Sequence, residues 1–257
     1  MGNRRIDEIE KYIQTRKSAT VSELCKEFGV SDMTIRRDLI QLEKSNKIVR
    51  FHGGAAAFEE TDAAKMDARH NMAKDEKTEI AELANDFLNI YINQSHPKII
   101  FLASGTTVCK FAERISLPSG MVILTDNLPV ASLVSPNPNH SVIMLGGQIL
   151  LPSFNVVGYT AEDMVKSFAI DCAVIGTGAI DTDGVLYLHN ILEYTSLRAI
   201  LDRSKKIILL TDHSKFGKTN TIAFGKVDSR FTIVTDSGVS DEILERFRKN
   251  NISIITS

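Results

Sequence analysis

Apolar residues recur at helical spacing through the first forty positions. Ile6, Ile9 and Ile13 fall at i, i+3 and i+7, one face of a helix. Thr20-Val21-Ser22-Glu23 has the S/T-x-x-E form of a capping box, with hydroxyl and carboxyl each satisfying a free backbone N–H. It predicts a second helix from near Val21, with Leu24 and Phe28 inward and a stop at Gly29, a residue suited to the left-handed C-terminal position. Just beyond, Ser31 is placed to cap a third helix, whose buried stripe is Ile35, Leu39 and Leu42. Met33, Thr34, Arg36, Arg37 and Gln41 fall on its opposite face. Two short helices joined by a Gly-containing turn, the second opening with exposed arginines, make a helix-turn-helix. Such a helix fits the major groove, where guanidinium groups bond guanine edges or clamp phosphate. Lys47-Ile48-Val49-Arg50-Phe51-His52-Gly53-Gly54 then alternates and ends in Gly-Gly. That reads as a hairpin wing, with Lys47, Arg50 and His52 within reach of flanking phosphates.

The pattern changes after this point. Residues 55–75 are rich in Ala, Glu, Asp and Lys with weak periodicity, which predicts a partly helical linker, assigned to 58–74. From Asp75 a helix runs to about Ile92, with Ile80, Leu83, Phe87 and Ile90 inward. Short continuous apolar runs follow at 99–102, 122–124, 142–145, 173–175, 207–210, 232–234 and 252–254. Helical candidates lie between several of them, at about 107–115, 127–134, 159–167, 190–203 and 240–249. Such alternation predicts an α/β domain with a mainly parallel sheet over 75–257, behind a small winged helix-turn-helix domain over 1–57.

Ligands of open parallel sheets bind beyond the carboxyl ends of the strands. Ser104-Gly105-Thr106-Thr107 follows the first run, and its small residues, N–H groups and hydroxyls suit an anion. Gly146-Gly147 follows the third and Gly176-Thr177-Gly178 the fourth. Thr211-Asp212-His213-Ser214-Lys215 follows the fifth and sets a carboxylate and an ammonium three residues apart. Several polar or Gly-rich strand ends on one rim are stronger evidence for a site than any one of them.

Composition sharpens this picture through charge. The 257 residues are 43% hydrophobic and 24% charged, which excludes collagen-like, coiled-coil and wholly disordered chains. The net charge of −2 hides a segregation: residues 1–57 carry 11 Lys+Arg against 8 Asp+Glu, net +3, and the remainder 19 against 24, net −5. A basic module on an acidic body fits nucleic-acid binding by the first part alone. Cys25, Cys109 and Cys172 are far apart and form no CxxC, and the six histidines are scattered, so neither disulfide nor metal is expected. The start, Met1-Gly2-Asn3-Arg4-Arg5, has no apolar leader, and the apolar runs are too short to span a bilayer. A cytoplasmic location, without membrane contact, is expected.

Val30-Ser31-Asp32-Met33-Thr34-Ile35-Arg36-Arg37-Asp38-Leu39, followed by Arg50-Phe51-His52-Gly53-Gly54-Ala55, resembles the DNA-binding signature of the DeoR family of bacterial sugar-metabolism regulators. The segments around Ser104, Leu145-Gly146-Gly147, Gly158, Asp171-Cys172-Ala173, 176–184, Glu193 and 212–217 resemble that family's effector domain, which is similar to ribose-5-phosphate isomerase and glucosamine-6-phosphate deaminase. The resemblance implies a repressor of carbohydrate genes, acting as a homo-oligomer on operator DNA and controlled by a phosphorylated sugar that it does not turn over. It implies DNA contacts from Ser31, Met33, Thr34, Arg36, Arg37, Gln41, Arg50 and His52. Ser104, Gly105, Thr106 and Thr107 would hold the phosphate, and Lys215, Arg69 and Lys77 would neutralise it. Asp212 and Glu193 would accept from sugar hydroxyls, while Asp126, Gly146, Gly147, Gly176 and Gly178 would complete the pocket. No cofactor is implied.

Two positions depart from the family pattern: Ala103 stands where an Asp is usual and Asp126 where an Asn is usual. A rival reading is an isomerase or deaminase with an N-terminal extension, which needs a carboxylate base from Asp126, Asp171 or Glu193.

Overall fold

Thr20 starts the second helix as the pattern requires. Its side chain accepts from the Glu23 N–H while the Glu23 carboxylate accepts from the Thr20 N–H, a complete capping box. Gly29 ends that helix at φ 64°, where only glycine pays no steric penalty. The computed structural model describes residues 2–16, 18–45, 47–51, 53–57 and 72–257. Contacts divide the chain into two units, Met1–Thr61 and Asp62–Ser257.

The first unit has helices α1 (Gly2–Arg16), α2 (Val21–Phe28) and α3 (Asp32–Lys44), with strands β1 (Ser18–Thr20), β2 (Ile48–Phe51) and β3 (Gly54–Ala57). Strands β2 and β3 pair as the expected antiparallel hairpin, with Phe51 opposite Gly54. Strand β1, which the sequence pattern did not announce, pairs with the other edge of β3. Ile9, Ile13, Leu24, Ile35, Leu39 and Leu42 close one core beneath the three helices. Each such side chain contributes about 1.5–3 kcal/mol through burial. Ser31 sits at the N-cap of α3 but makes no capping hydrogen bond; its Oγ instead meets Thr34 Oγ1 at 3.0 Å.

The second unit begins with α4 (Lys74–Ser95). Around it follow β4 (Ile99–Leu102), α5 (Thr106–Ala112), β5 (Val122–Thr125), α6 (Leu128–Val134), β6 (Ser141–Met144), β7 (Gln148–Leu150), β8 (Asn155–Val157), α7 (Tyr159–Lys166) and β9 (Ile170–Gly176). The chain continues through β10 (Ala179–Ile180), β11 (Val185–Leu188), a 3-10 turn (Ile191–Glu193), α8 (Tyr194–Arg203) and β12 (Ser204–Leu210). A second 3-10 turn (His213–Lys215), β13 (Ile222–Lys226), β14 (Phe231–Thr235), α9 (Asp241–Lys249) and β15 (Ser253–Thr256) complete it.

Seven strands form one sheet in the order β15-β14-β12-β9-β4-β5-β6, parallel throughout. Their continuous apolar runs follow from burial on both faces. Ala173, Ile175, Ile207 and Leu209 point into one core, which α7, α8 and α9 cover. Cys172, Val174, Ile208 and Leu210 point into the other, beneath α4, α5 and α6. From β4 the chain winds one way through β5 and β6, then returns to lay β9 on the other side of β4. The winding therefore reverses between β4 and β9, and their carboxyl ends diverge there into a crevice. Two small antiparallel additions, β7-β8 and β10-β11-β13, lie outside the large sheet. No helix among the described residues is long and apolar enough to cross a membrane.

Candidate functional site

On α3 the exposed face is continuous. Met33 is 82% exposed, and Arg36, Arg37 and Gln41 project beside it, with Thr34 half-buried. The inward face carries Ile35, Leu39, Leu42 and one buried carboxylate, Asp38, which Arg5 of α1 grips through Nε at 2.8 Å. That pair fixes how α3 is seated, so Arg5 serves the fold rather than the exposed face. Arg36 is bonded to Asp32 one turn earlier, which holds the guanidinium pKa above its usual value. Arg37 has no hydrogen-bond or ion-pair partner among the described residues. At the wing, Arg50 lies 3.7 Å from Glu43, and Lys47 is bonded to Glu10. His52 lies outside the described residues.

In the second unit a cavity of about 150 Å³ opens at the crevice between β4 and β9. Its wall includes Ser104, Gly105, Thr106 and Thr107 from the end of β4, and Gly176, Thr177 and Gly178 from the end of β9. Lys77 of α4, Glu193, Asp212 and Lys215 converge on it. Gly178 sits tightly, since a Cβ there would come within 3.0 Å of Tyr187 O and 3.1 Å of the His189 ring.

The charges are arranged asymmetrically. Lys77 is buried although it lies on a helix, and its Nζ donates to Met72 O at 2.6 Å. Burial pushes its pKa down, Asp212 pulls it back up, and Lys215 lowers it further. The Asp212 carboxylate caps the following 3-10 turn, accepting from the Ser214 N–H at 3.0 Å and from the Ser214 hydroxyl. The side chain of the half-buried Lys215 has no hydrogen-bond or ion-pair partner among the described residues. Two ammonium groups facing a loop of small residues and hydroxyls make a site for an anion.

A polar network underlies the loop. Asn155, buried on β8, donates to Ser104 Oγ at 2.9 Å and to Glu193 Oε1 at 2.8 Å, and its Oδ1 accepts from Asn127 at 2.8 Å. One asparagine thus ties the loop after β4, the 3-10 turn before α8 and the start of α6 together. Sequence reasoning missed it, because the β7-β8 hairpin was not read as structure. Thr177 and His189 also line the cavity. The apolar run Val185-Leu186-Tyr187-Leu188, which leads to His189, was the signal for that strand.

Other expected residues fall elsewhere. Gly146 and Gly147 do not line the cavity. Gly147 serves packing, since a Cβ there would lie 2.7 Å from Val157 O, so the turn into β7 can press against β8. Asp126 is buried just past β5 and does not line the cavity either; burial, with Glu193 adding to it, pushes its carboxyl up to about 7. Asp171 stands at the amino end of β9, opposite the rim, where it accepts from the Lys98 and Ile99 N–H groups and pairs with Lys205. It cannot serve as a base in the crevice. Arg69 lies outside the described residues. Among those residues, no group of three or more His, Cys, Asp and Glu is placed to hold a metal ion.

The two units match two family descriptions: DeoR-like helix-turn-helix domain over residues 5–61 and DeoR C terminal sensor domain over residues 72–237. The HTH-type transcriptional regulator IolR of Bacillus subtilis is 31% identical over 97% of this chain and 97% of its own length. The glycerol-3-phosphate regulon repressor of Escherichia coli is 27% identical over 96% and 95%. The solved structure of ribose 5 phosphate isomerase A from Neisseria gonorrhoeae is 14% identical over 55% of this chain and 52% of that one, with a TM-score of 0.37. A DNA-reading helix-turn-helix coupled to a sensor domain defines a transcriptional regulator. This chain belongs to the DeoR family.

Proposed function

We propose that the protein is an operator-binding repressor of carbohydrate genes whose DNA affinity is set by a phosphorylated sugar in the crevice between β4 and β9. The carrying observation is the meeting of Lys77 and Lys215 across the loop 104–107 in a chain that also bears a helix-turn-helix. In this reading the phosphate sits on the loop and the two ammonium groups balance it. Asp212, Glu193 and Asn155 lie where sugar hydroxyls would be read. On DNA, Met33, Thr34, Arg36, Arg37 and Gln41 face the major groove, with Ser31, Arg50 and His52 toward phosphates. One such unit contacts few base pairs, so the protein acts as a homo-oligomer on a two-fold symmetric operator. Residues 58–74 link reader to sensor, and the protein works in the cytoplasm, where operator and effector are found. Effector control requires unequal ligand affinity between DNA-competent and incompetent states.

Two features support sensing without turnover. Asp212 is committed to capping its own turn, and Glu193 to Asn155. Several relatives are named repressors, including the lactose phosphotransferase system repressor of Staphylococcus epidermidis. A thermal-shift screen of phosphorylated sugars, followed by DNA binding with each hit, tests the reading. A hit that raises the melting temperature and changes operator affinity supports it. Catalytic turnover of a pentose or hexosamine phosphate would overturn the non-enzymatic part.

A further inference from the structure

Asp126 sits one residue past β5, level with Ala103 at the end of β4, since Leu102 and Thr125 are partners in the sheet. It is 4% exposed, and its Oδ1 has no hydrogen-bond partner. A buried carboxylate oxygen without a donor loses its hydration and gains nothing for it. The nearby amides are spent elsewhere. Asn127 bonds Ser153 and Asn155, and Asn155 gives both its hydrogens to Ser104 and Glu193. The groups that bear on Asp126 come from three places. The loop after β4 offers the Ser104 N–H, the end of β5 offers its own N–H, and the 3-10 turn before α8 presents Glu193, a like charge. Asn155 of β8 is neutral. Lys77 and Lys215 act on each other across the cavity, and neither is among the groups acting on Asp126.

We propose that Asp126 is an electrostatic specificity determinant of the loop 104–107: as a neutral acid it admits a dianion, and as a carboxylate it repels one. The inference rests on the reading of that loop as the phosphate subsite. Burial and Glu193 hold the carboxyl near neutrality, at about 7, so both forms are populated there. Anion affinity is therefore high on the acid side of that value and falls above it. An Asn at this position removes the switch while keeping the side chain's shape.

The test is calorimetric titration of the full chain with sulfate, whose charge does not change between about pH 6 and pH 8. In the wild type, sulfate binds about tenfold more weakly at about pH 8 than at about pH 6, following the protonated fraction of the carboxyl. At the higher pH it takes up about one proton per sulfate bound, read from the dependence of the heat on buffer ionisation. In Asp126→Asn the affinity is the same at both pH values and no proton is taken up. A flat wild-type profile overturns the proposal. So does a slope that persists in Asp126→Asn, which assigns the titration to Lys77, whose deprotonation has the same sign. Sulfate binding undiminished by Lys215→Ala, or absent at both pH values, overturns the loop reading itself.

Discussion

Asp32 holds Arg36 across one turn of α3, with Arg36 Nε 2.5 Å from Oδ1 and Nη2 3.2 Å from Oδ2. Both side chains are more than half exposed, so the pair contributes little to stability. Its consequence is for charge presented to DNA. Arg36 carries its own counter-charge, whereas the neighbouring Arg37 carries none among the described residues.

The two arginines are therefore expected to differ. Arg37→Ala weakens operator binding by about 1–3 kcal/mol, and Arg36→Ala by less, because part of its contact must first be released from Asp32. Fluorescence anisotropy with a labelled operator measures both. Equal losses would show that the ion pair does not persist near DNA.

Removing the carboxylate acts in the other direction. Asp32→Asn frees Arg36 and strengthens binding to random-sequence DNA. It steepens the dependence of log affinity on log salt by about one. The slope, taken from titrations at several salt concentrations, checks this, and an unchanged slope would contradict it.

Asn155 joins three segments around the cavity, so its loss removes one hydrogen bond each from Ser104, Glu193 and Asn127. Asn155→Leu destabilises the sensor unit by about 1–3 kcal/mol and loosens the loop, while ligand-free operator binding persists. Urea denaturation gives the first effect and effector-dependent anisotropy the second. A variant that is destabilised yet responds normally would make the network structural only.

The stability of the sensor unit also depends on pH through Asp126. Its folded carboxyl titrates at about 7, against about 4 in the unfolded chain. Between those values the folded state binds more protons, so this group's contribution falls as pH rises from about 4 to about 7. Asp236 has the opposite sign. Burial raises it, but hydrogen bonds from the His213 N–H, the His213 ring and the Gly238 N–H outweigh burial and hold it below the usual value. Its contribution is lost only in acid. The stability gained by Asp126→Asn is thus larger at about pH 8 than at about pH 5. Urea midpoints at the two pH values check this, and a pH-independent difference would contradict it.

Much of this was legible in the sequence because the signals were local. A complete capping box, a left-handed glycine and a 3.6-residue stripe specify α2 and α3 within thirty residues. The seven sheet strands read as apolar runs because both their faces are buried. What escaped depended on contacts distant in sequence. Strands β1, β7, β8, β10, β11 and β13 are two to five residues long and pair outside the large sheet; β11, Val185-Leu186-Tyr187-Leu188, carried an apolar run that was not read as a strand, and the others offered shorter ones. Lys77 belongs to a helix whose exposed positions are also charged, and only the fold shows that it points inward. The reversal between β4 and β9, which locates the crevice, is a property of strand order and leaves no local trace. Gly146 and Gly147 look like binding glycines in sequence, but Gly147 is needed for packing at the turn into β7.

The central claim is that a phosphorylated sugar held by Lys215 controls operator affinity. Its most direct test is an operator titration of wild type and Lys215→Ala, each with and without the sugar phosphate that most raises the wild-type melting temperature. The predicted result is a shift of the wild-type binding curve by about five- to 150-fold, with Lys215→Ala binding operator as the ligand-free wild type does and not shifting. An equal shift in both proteins, or none in the wild type with any stabilising sugar phosphate, would contradict it.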